Sequence, residues 1–129
     1  MGYCIEQLDQ VFFISGEHNP NTIIDAVRNA FNKEKIGWVR KNELDDIKNL
    51  DELFECFRWE IEYTNTDINY IYFVGEKLGD DIDFFLNVIA QYVKDGSYIE
   101  MLGEDGDRWR YLFKDGKMIE KMAKTLWED

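Results

Sequence analysis

Residues 94–122 read KDGSYIEMLGEDGDRWRYLFKDGKMIEKM and place Asp95-Gly96, Asp105-Gly106 and Asp115-Gly116 at a fixed ten-residue interval. Between these pairs apolar residues alternate with polar or charged ones, the period-2 pattern of half-buried strands. Two-residue Asp-Gly loops favour type I′ hairpin turns, because Gly takes positive φ freely and Asp tolerates it better than most residues. The stretch therefore predicts a three-stranded β-meander.

The turn spacing also predicts a register. A two-residue loop at Asp105-Gly106 pairs Leu102 with Trp109, Glu100 with Tyr111 and Tyr98 with Phe113. A second at Asp115-Gly116 pairs Phe113 with Met118, Tyr111 with Glu120 and Trp109 with Met122. One face then carries Tyr98, Leu102, Trp109, Tyr111, Phe113, Met118 and Met122, with Glu100 and Glu120 flanking Tyr111. The other carries Ile99, Met101, Leu112 and Ile119, fringed by Arg108, Arg110 and Lys121. Either the aromatic face is core, or it is exposed and makes an adhesive surface of Trp109 and Tyr111.

Working outward, Val11–Ser15 is a β-favouring run stopped by Gly16. Asn19 or Asn21 can cap a helix through Ile23, Ile24, Val27, Ala30 and Phe31, ending near Lys33–Gly37. Trp38-Val39-Arg40 reads as a short extended piece, and Asn49 or Asp51 can start a short acidic helix through Leu53, Phe54 and Phe57. Trp59, Ile61 and Tyr63 alternate with Glu60, Glu62 and Thr64, and Asn65-Thr66-Asp67 turns the chain into Ile68–Val74 as a hairpin. Gly79-Asp80-Asp81 opens a helix with Ile82, Phe85, Leu86, Ile89, Ala90 and Val93 on one face. With no linker-like tract, the expectation is a single α+β domain over residues 1–129, a mainly antiparallel sheet with helices on one face. A ferredoxin-like topology is among those this order permits.

The 129 residues are 45% hydrophobic and 16% aromatic, which excludes disorder, while a net charge of -12 marks a carboxylate-rich surface. Residues 42–62 hold eight acids and two bases, 76–107 nine and two, and 108–129 four and six. Such a surface repels nucleic acid and anionic membrane and attracts basic protein surfaces. The first ten residues lack a basic n-region and an apolar h-region, and no apolar run approaches the ~18 residues of a membrane span. Cys4 and Cys56 lie far apart without CxxC spacing, as suits reduced thiols. These features predict a soluble, cytoplasmic protein.

Catalytic motifs are lacking. The single histidine, His18, sits in a polar loop, and neither GxSxG, a P-loop nor GxGxxG is present. Glu60 with Glu62, or Glu100 with Glu120, could do acid/base work, but outward glutamates on strands are ordinary. The clusters Asp80-Asp81-Ile82-Asp83 and Glu104-Asp105-Gly106-Asp107 lack EF-hand spacing. Neither an enzyme nor a cofactor or metal site is expected. Glu43, Asp45, Asp46, Asp51, Glu52 and Glu55, with Asp80 and Asp81 further on, can instead imitate the phosphate ladder of DNA, which carries one charge per ~1.7 Å of axis.

Met1-Gly2-Tyr3-Cys4, the stretch Gly75-Glu76-Lys77-Leu78-Gly79-Asp80-Asp81, and the run Lys94–Glu100 through Gly103-Glu104-Asp105-Gly106 with Trp109-Arg110 resemble a group of small uncharacterised proteins of bacterial genomes, phages and mobile elements. The resemblance covers most of the chain and carries no functional residue over. It implies a setting in which small acidic proteins bind and block host defence proteins. The expected function is a non-enzymatic interaction protein, an anti-CRISPR-like or other anti-defence inhibitor that occupies a basic nucleic-acid-binding surface of a host protein. The expected contact residues are the eight carboxylates just named with Glu100, Trp109, Tyr111 and Glu120. The alternative is a small-molecule or nucleotide-binding sponge built from the aromatics and arginines of the C-terminal sheet. Exposed apolar sheet area would also permit a homodimer.

Overall fold

In chain order the elements are β1 (Ile5–Val11), α1 (Pro20–Phe31), α2 (Lys41–Asp45), α3 (Leu50–Cys56), β2 (Trp59–Thr64), β3 (Asp67–Phe73), α4 (Asp80–Ile89), a 3-10 turn (Ala90–Tyr92), β4 (Tyr98–Gly103), β5 (Arg108–Lys114) and β6 (Lys117–Met122). The structure is a computed structural model that describes residues 2–34, 37 and 39–123. Trp38 and part of the expected Lys33–Gly37 helix end lie outside the described residues, and α1 itself stops at Phe31.

The fold is α+β, with a four-stranded antiparallel sheet in the order β1-β4-β5-β6 and a separate β2-β3 hairpin. Every strand pairing is antiparallel. That distinguishes it from the ferredoxin-like plan, whose βαβ crossovers bring strands together in parallel. The first strand lies earlier than Val11–Ser15. Beyond β1 the chain leaves the sheet, and Ile14 bridges Ile68 and Val93 instead.

The C-terminal meander forms, but its turns differ in kind. Asp115 (φ 54°) and Gly116 (φ 75°) are both left-handed, and Lys114 pairs with Lys117, so this is the two-residue loop expected. Phe113 faces Met118, Tyr111 faces Glu120 and Trp109 faces Met122. At the β4–β5 turn only Gly106 is left-handed, at φ 91°. There Gly103 N–H donates to the Asp107 carbonyl at 2.8 Å and Gly106 N–H to the Gly103 carbonyl at 3.0 Å. Glu104-Asp105-Gly106 is thus a three-residue loop, a type I turn closed by a glycine bulge. Asp95-Gly96 joins no two strands, since the 3-10 turn precedes it.

The extra loop residue moves β4 by one position. Ile99 pairs with Tyr111, Met101 with Trp109 and Glu100 with Arg110. Because side chains alternate with period 2, this slip turns β4 over. Ile99 and Met101 join Trp109, Tyr111 and Phe113 in the core, at 6% exposure or less, and Glu100 moves to the opposite face with Arg108 and Arg110. The expected Glu100–Tyr111 pairing is corrected accordingly.

Helices cover the aromatic face. Asn19 caps α1 by accepting from Asn21 N–H at 2.8 Å, and Asn49 caps α3 by accepting from Glu52 N–H at 2.9 Å. Ile23, Ile24 and Val27 of α1, Leu53 and Phe54 of α3, and Ile82, Phe85, Leu86 and Ile89 of α4 meet the sheet in one cluster. Phe57 stacks on Phe85 at 4.6 Å, and Phe54 meets the same ring edge-on at 4.9 Å. Each such aromatic contributes about 1.5–3 kcal/mol by leaving water.

Two glutamines join the sheets. The Gln7 amide donates to the Ile71 carbonyl and accepts from Phe73 N–H, both at 2.9 Å, while Gln10 accepts from Ile71 N–H at 3.3 Å. Side chains of β1 thus satisfy edge groups of β3 that a neighbouring strand would otherwise pair.

Candidate functional site

The acidic segment from Glu43 to Glu62 folds into one continuous face. α3 turns Leu50, Leu53 and Phe54 inward, which leaves Asp51, Glu52 and Glu55 in solvent. β2 continues the surface by alternation: Trp59 is buried, whereas Glu60 and Glu62 point out and pair across the hairpin with Tyr72 and Tyr70. A shallow depression of about 500 Å³ joins Asp51 and Glu55 to Glu60, Glu62, Tyr70 and Tyr72. A second, of about 360 Å³, joins Glu55 to Glu43, Asp46 and Glu52. Among the described residues no lysine or arginine lines either depression. Asp45 lies just beyond, paired with Lys41 at 3.1 Å.

Two groups here have displaced acidities. Burial, with the Glu43 and Asp81 charges adding, pushes the Cys56 thiol up to about 11, so it remains protonated near neutral pH and is no nucleophile. Burial raises the Tyr63 hydroxyl too, with the Asp51 carboxylate contributing both charge and a hydrogen bond.

The remaining expected contact residues disperse. Asp80 and Glu120 line a separate groove with Asp83, Asp105 and Asp107. Asp81, one residue from Asp80, is fully buried and holds Arg58 through two bonds, Nε to Oδ2 at 2.9 Å and Nη2 to Oδ1 at 2.7 Å. It is a structural anchor, where a surface position was expected. Trp109 (6% exposed) and Tyr111 (0%) are core residues, so of the two readings of the aromatic face the buried one holds.

Glu100 is occupied as well. Arg108 donates to it at 2.6 Å and Arg110 at 2.8 Å, and these bonds hold its carboxyl below the usual range. Arg110 also lies over the Tyr98 ring at 4.3 Å, and Tyr98 donates its hydroxyl to Asp9 at 2.9 Å. The arginines are therefore engaged on one face while Trp109 and Tyr111 sit on the other. Arg108, Arg110 and Trp109 nevertheless line one depression of about 260 Å³ with Leu112, Lys121 and Met122.

Glu60, Glu62, Tyr70 and Tyr72 are the surface residues that sequence reasoning did not select. The signal was present in the Trp59–Thr64 alternation, which already turns both glutamates outward. His18 lies against Tyr92, with ring centroids 5.3 Å apart. Among the described residues no three His, Cys, Asp or Glu side chains are grouped so that they could hold a metal ion, and no helix is long and apolar enough to cross a membrane. Compared with known proteins, the chain matches no family model, no curated protein and no solved structure.

Proposed function

We propose that this chain is a non-enzymatic interaction protein whose α2–α3–β2 face occupies a basic protein surface of the kind that otherwise holds nucleic acid. The observation that carries this reading is the continuous face of Glu43, Asp46, Asp51, Glu52, Glu55, Glu60 and Glu62 around Tyr70 and Tyr72, with no basic residue lining it among the described residues. Dispersed carboxylates on a rigid scaffold reproduce the spaced negative charge that a nucleic-acid-binding groove recognises. The tyrosines add contact area at low entropic cost. The resemblance to phage and mobile-element proteins suggests a host defence protein as the partner, with inhibition as the outcome.

The test is capture from a bacterial lysate on the immobilised chain at low and high salt, beside a variant carrying Asp46→Lys, Glu55→Lys, Glu60→Lys and Glu62→Lys. Asp51 and Glu52 are spared because the Glu52 carboxylate accepts from Lys48 N–H at 2.8 Å and the Asp51 carboxylate bonds Tyr63. The expected result is salt-sensitive retention of a nucleic-acid-binding protein, weakened about tenfold or more by the variant, and displacement of that protein from DNA by the native chain. Equal capture by the variant, or captured proteins that keep their DNA, would overturn the proposal.

A further inference from the structure

The face of the four-stranded sheet opposite the helices is built by the alternation of β1, β4, β5 and β6, and the strand register sets its residues in rows. One row runs Val11, Tyr98, Leu112 and Ile119 from β1 to β6. The next runs Asp9, Glu100, Arg110 and Lys121, and a third holds Glu6, Leu102 and Arg108. Val11 is 55% exposed and Ile119 42%, so the apolar row stands in water at both ends. Apolar side chains gathered on an uncovered sheet face mark an interaction surface.

Charge selects the occupant. The chain carries a net charge of -12, which drives its copies apart wherever acidic surfaces meet. These three rows are locally neutral, with Glu6, Asp9 and Glu100 set against Arg108, Arg110 and Lys121. Their charges are also sorted across the sheet. Glu6 and Asp9 lie on β1 at one flank, and the three bases lie on β5 and β6 toward the other. Glu100 is bonded by Arg108 and Arg110 of its own chain, whereas Lys121 has no ion pair among the described residues.

A two-fold axis parallel to the strands, between β4 and β5, lays β1 over β6 and β4 over β5 of a second copy. Asp9 then stands opposite Lys121 of the second copy, Glu100 opposite Arg110, Val11 opposite Ile119 and Tyr98 opposite Leu112. Symmetry makes each of these contacts twice. An axis running across the strands instead sets Asp9 against Asp9 and Lys121 against Lys121.

We propose that this face pairs with the same face of a second copy, closing a symmetric dimer as a sandwich of two four-stranded sheets. Packed sheets lie about 10 Å apart with strand directions within about 30°, and the flexible lysine stem spans the offset that this twist introduces at the flanks. Four strands, the shortest six residues long and each about 4.8 Å from the next, give a face of roughly 400 Å² per copy. That is the size of a weak, reversible association. None of these residues belongs to the α2–α3–β2 face, so the dimer displays that face twice and the inference stands apart from the proposal made for it.

The experiment is sedimentation equilibrium of the full chain from about 10 µM to about 1 mM, beside Asp9→Lys, Lys121→Glu and an equimolar mixture of the two. The native chain is expected to pass from 15.4 kDa toward twice that mass across the range. Either variant alone sets like charges opposite one another at both symmetry-related positions and weakens the dimer about tenfold or more. The mixture recovers native strength, because each substituted position then faces an opposite charge and the remaining native Asp9 faces the remaining native Lys121. Mixing cannot rescue a misfolded variant, so recovery separates pairing from folding. Glu60→Lys/Glu62→Lys, on the acidic face, associates as the native chain does. A monomer throughout the range, a dimer that Asp9→Lys leaves intact, a mixture no stronger than its components, or loss of association in Glu60→Lys/Glu62→Lys overturns the inference.

Discussion

Replacing Asp81 by Ala should cost this protein much of its stability while leaving its acidic surface unchanged. The carboxylate is fully buried, and the Arg58 side chain it holds is only 18% exposed. Arg58 also donates through Nη1 to the Lys77 carbonyl at 2.6 Å and lies 5.2 Å from the Phe73 ring centre, so it cannot swing out to water without breaking both contacts. Removing one partner of a buried pair strands the other charge, at about 3–5 kcal/mol. The partial exposure of Arg58 places the expected loss at the lower end, about 3 kcal/mol. Against a total of about 5–15 kcal/mol for a domain, that lowers the melting temperature by roughly 10 °C.

A double-mutant cycle measures the effect. Asp81→Ala and Arg58→Met are each expected to destabilise by about 3 kcal/mol, whereas the Asp81→Ala/Arg58→Met double variant should cost well below the sum of the two because no unpaired charge remains. Urea unfolding followed by tryptophan fluorescence, with buried Trp59 as a reporter, supplies the free energies. An Asp81→Ala cost below about 1 kcal/mol, or a double variant as unstable as the sum of the singles, would refute the reasoning.

The acids on the two faces of the sheet should respond to pH with opposite sign. Glu100 titrates below its ordinary value of 4.5 in the folded state because Arg108 and Arg110 bond to it, so its contribution is complete above that value and is lost as pH falls through the lowered one. The stability advantage of the native chain over Glu100→Gln should therefore be constant at neutral pH and vanish in acid, as read by urea unfolding across pH. Burial raises Glu120 and Asp83, so the folded form binds protons that the unfolded chain has released, and each group's contribution falls as pH rises through that window. Glu120→Gln should stabilise the protein at neutral pH and lose that advantage in acid. A destabilised Glu120→Gln at pH 7 would contradict the assignment.

Period-2 alternation, asparagine caps and the Asp115-Gly116 turn are local signals, and β2 to β6, α1, α3, α4 and the β5–β6 register could be read from them, whereas β1 lies ahead of the expected Val11–Ser15 run. Loop length at Asp105-Gly106 could not. The same dipeptide serves a two-residue loop and the end of a three-residue one, and local energies differ little between them. Burial of Ile99 and Met101 beside Trp109 and Tyr111, with Glu100 left to two arginines, favours the longer loop. One residue of loop thus decided whether Glu100 faced Tyr111 or Arg110.

The acidic sites follow the same division. That residues 42–62 and 76–107 carry the negative charge is a property of the sequence alone, as is the outward direction of Glu60 and Glu62 on an alternating strand. Asp80 and Asp81, by contrast, are adjacent acids at one helix start, and only the approach of Arg58, twenty-three residues earlier, makes one a buried anchor while the other lines a groove. Periodicity states which side chains share a face, because backbone geometry is local. Which face is covered and which charges become neighbours depend on segments distant in the chain, and tertiary packing alone decided them.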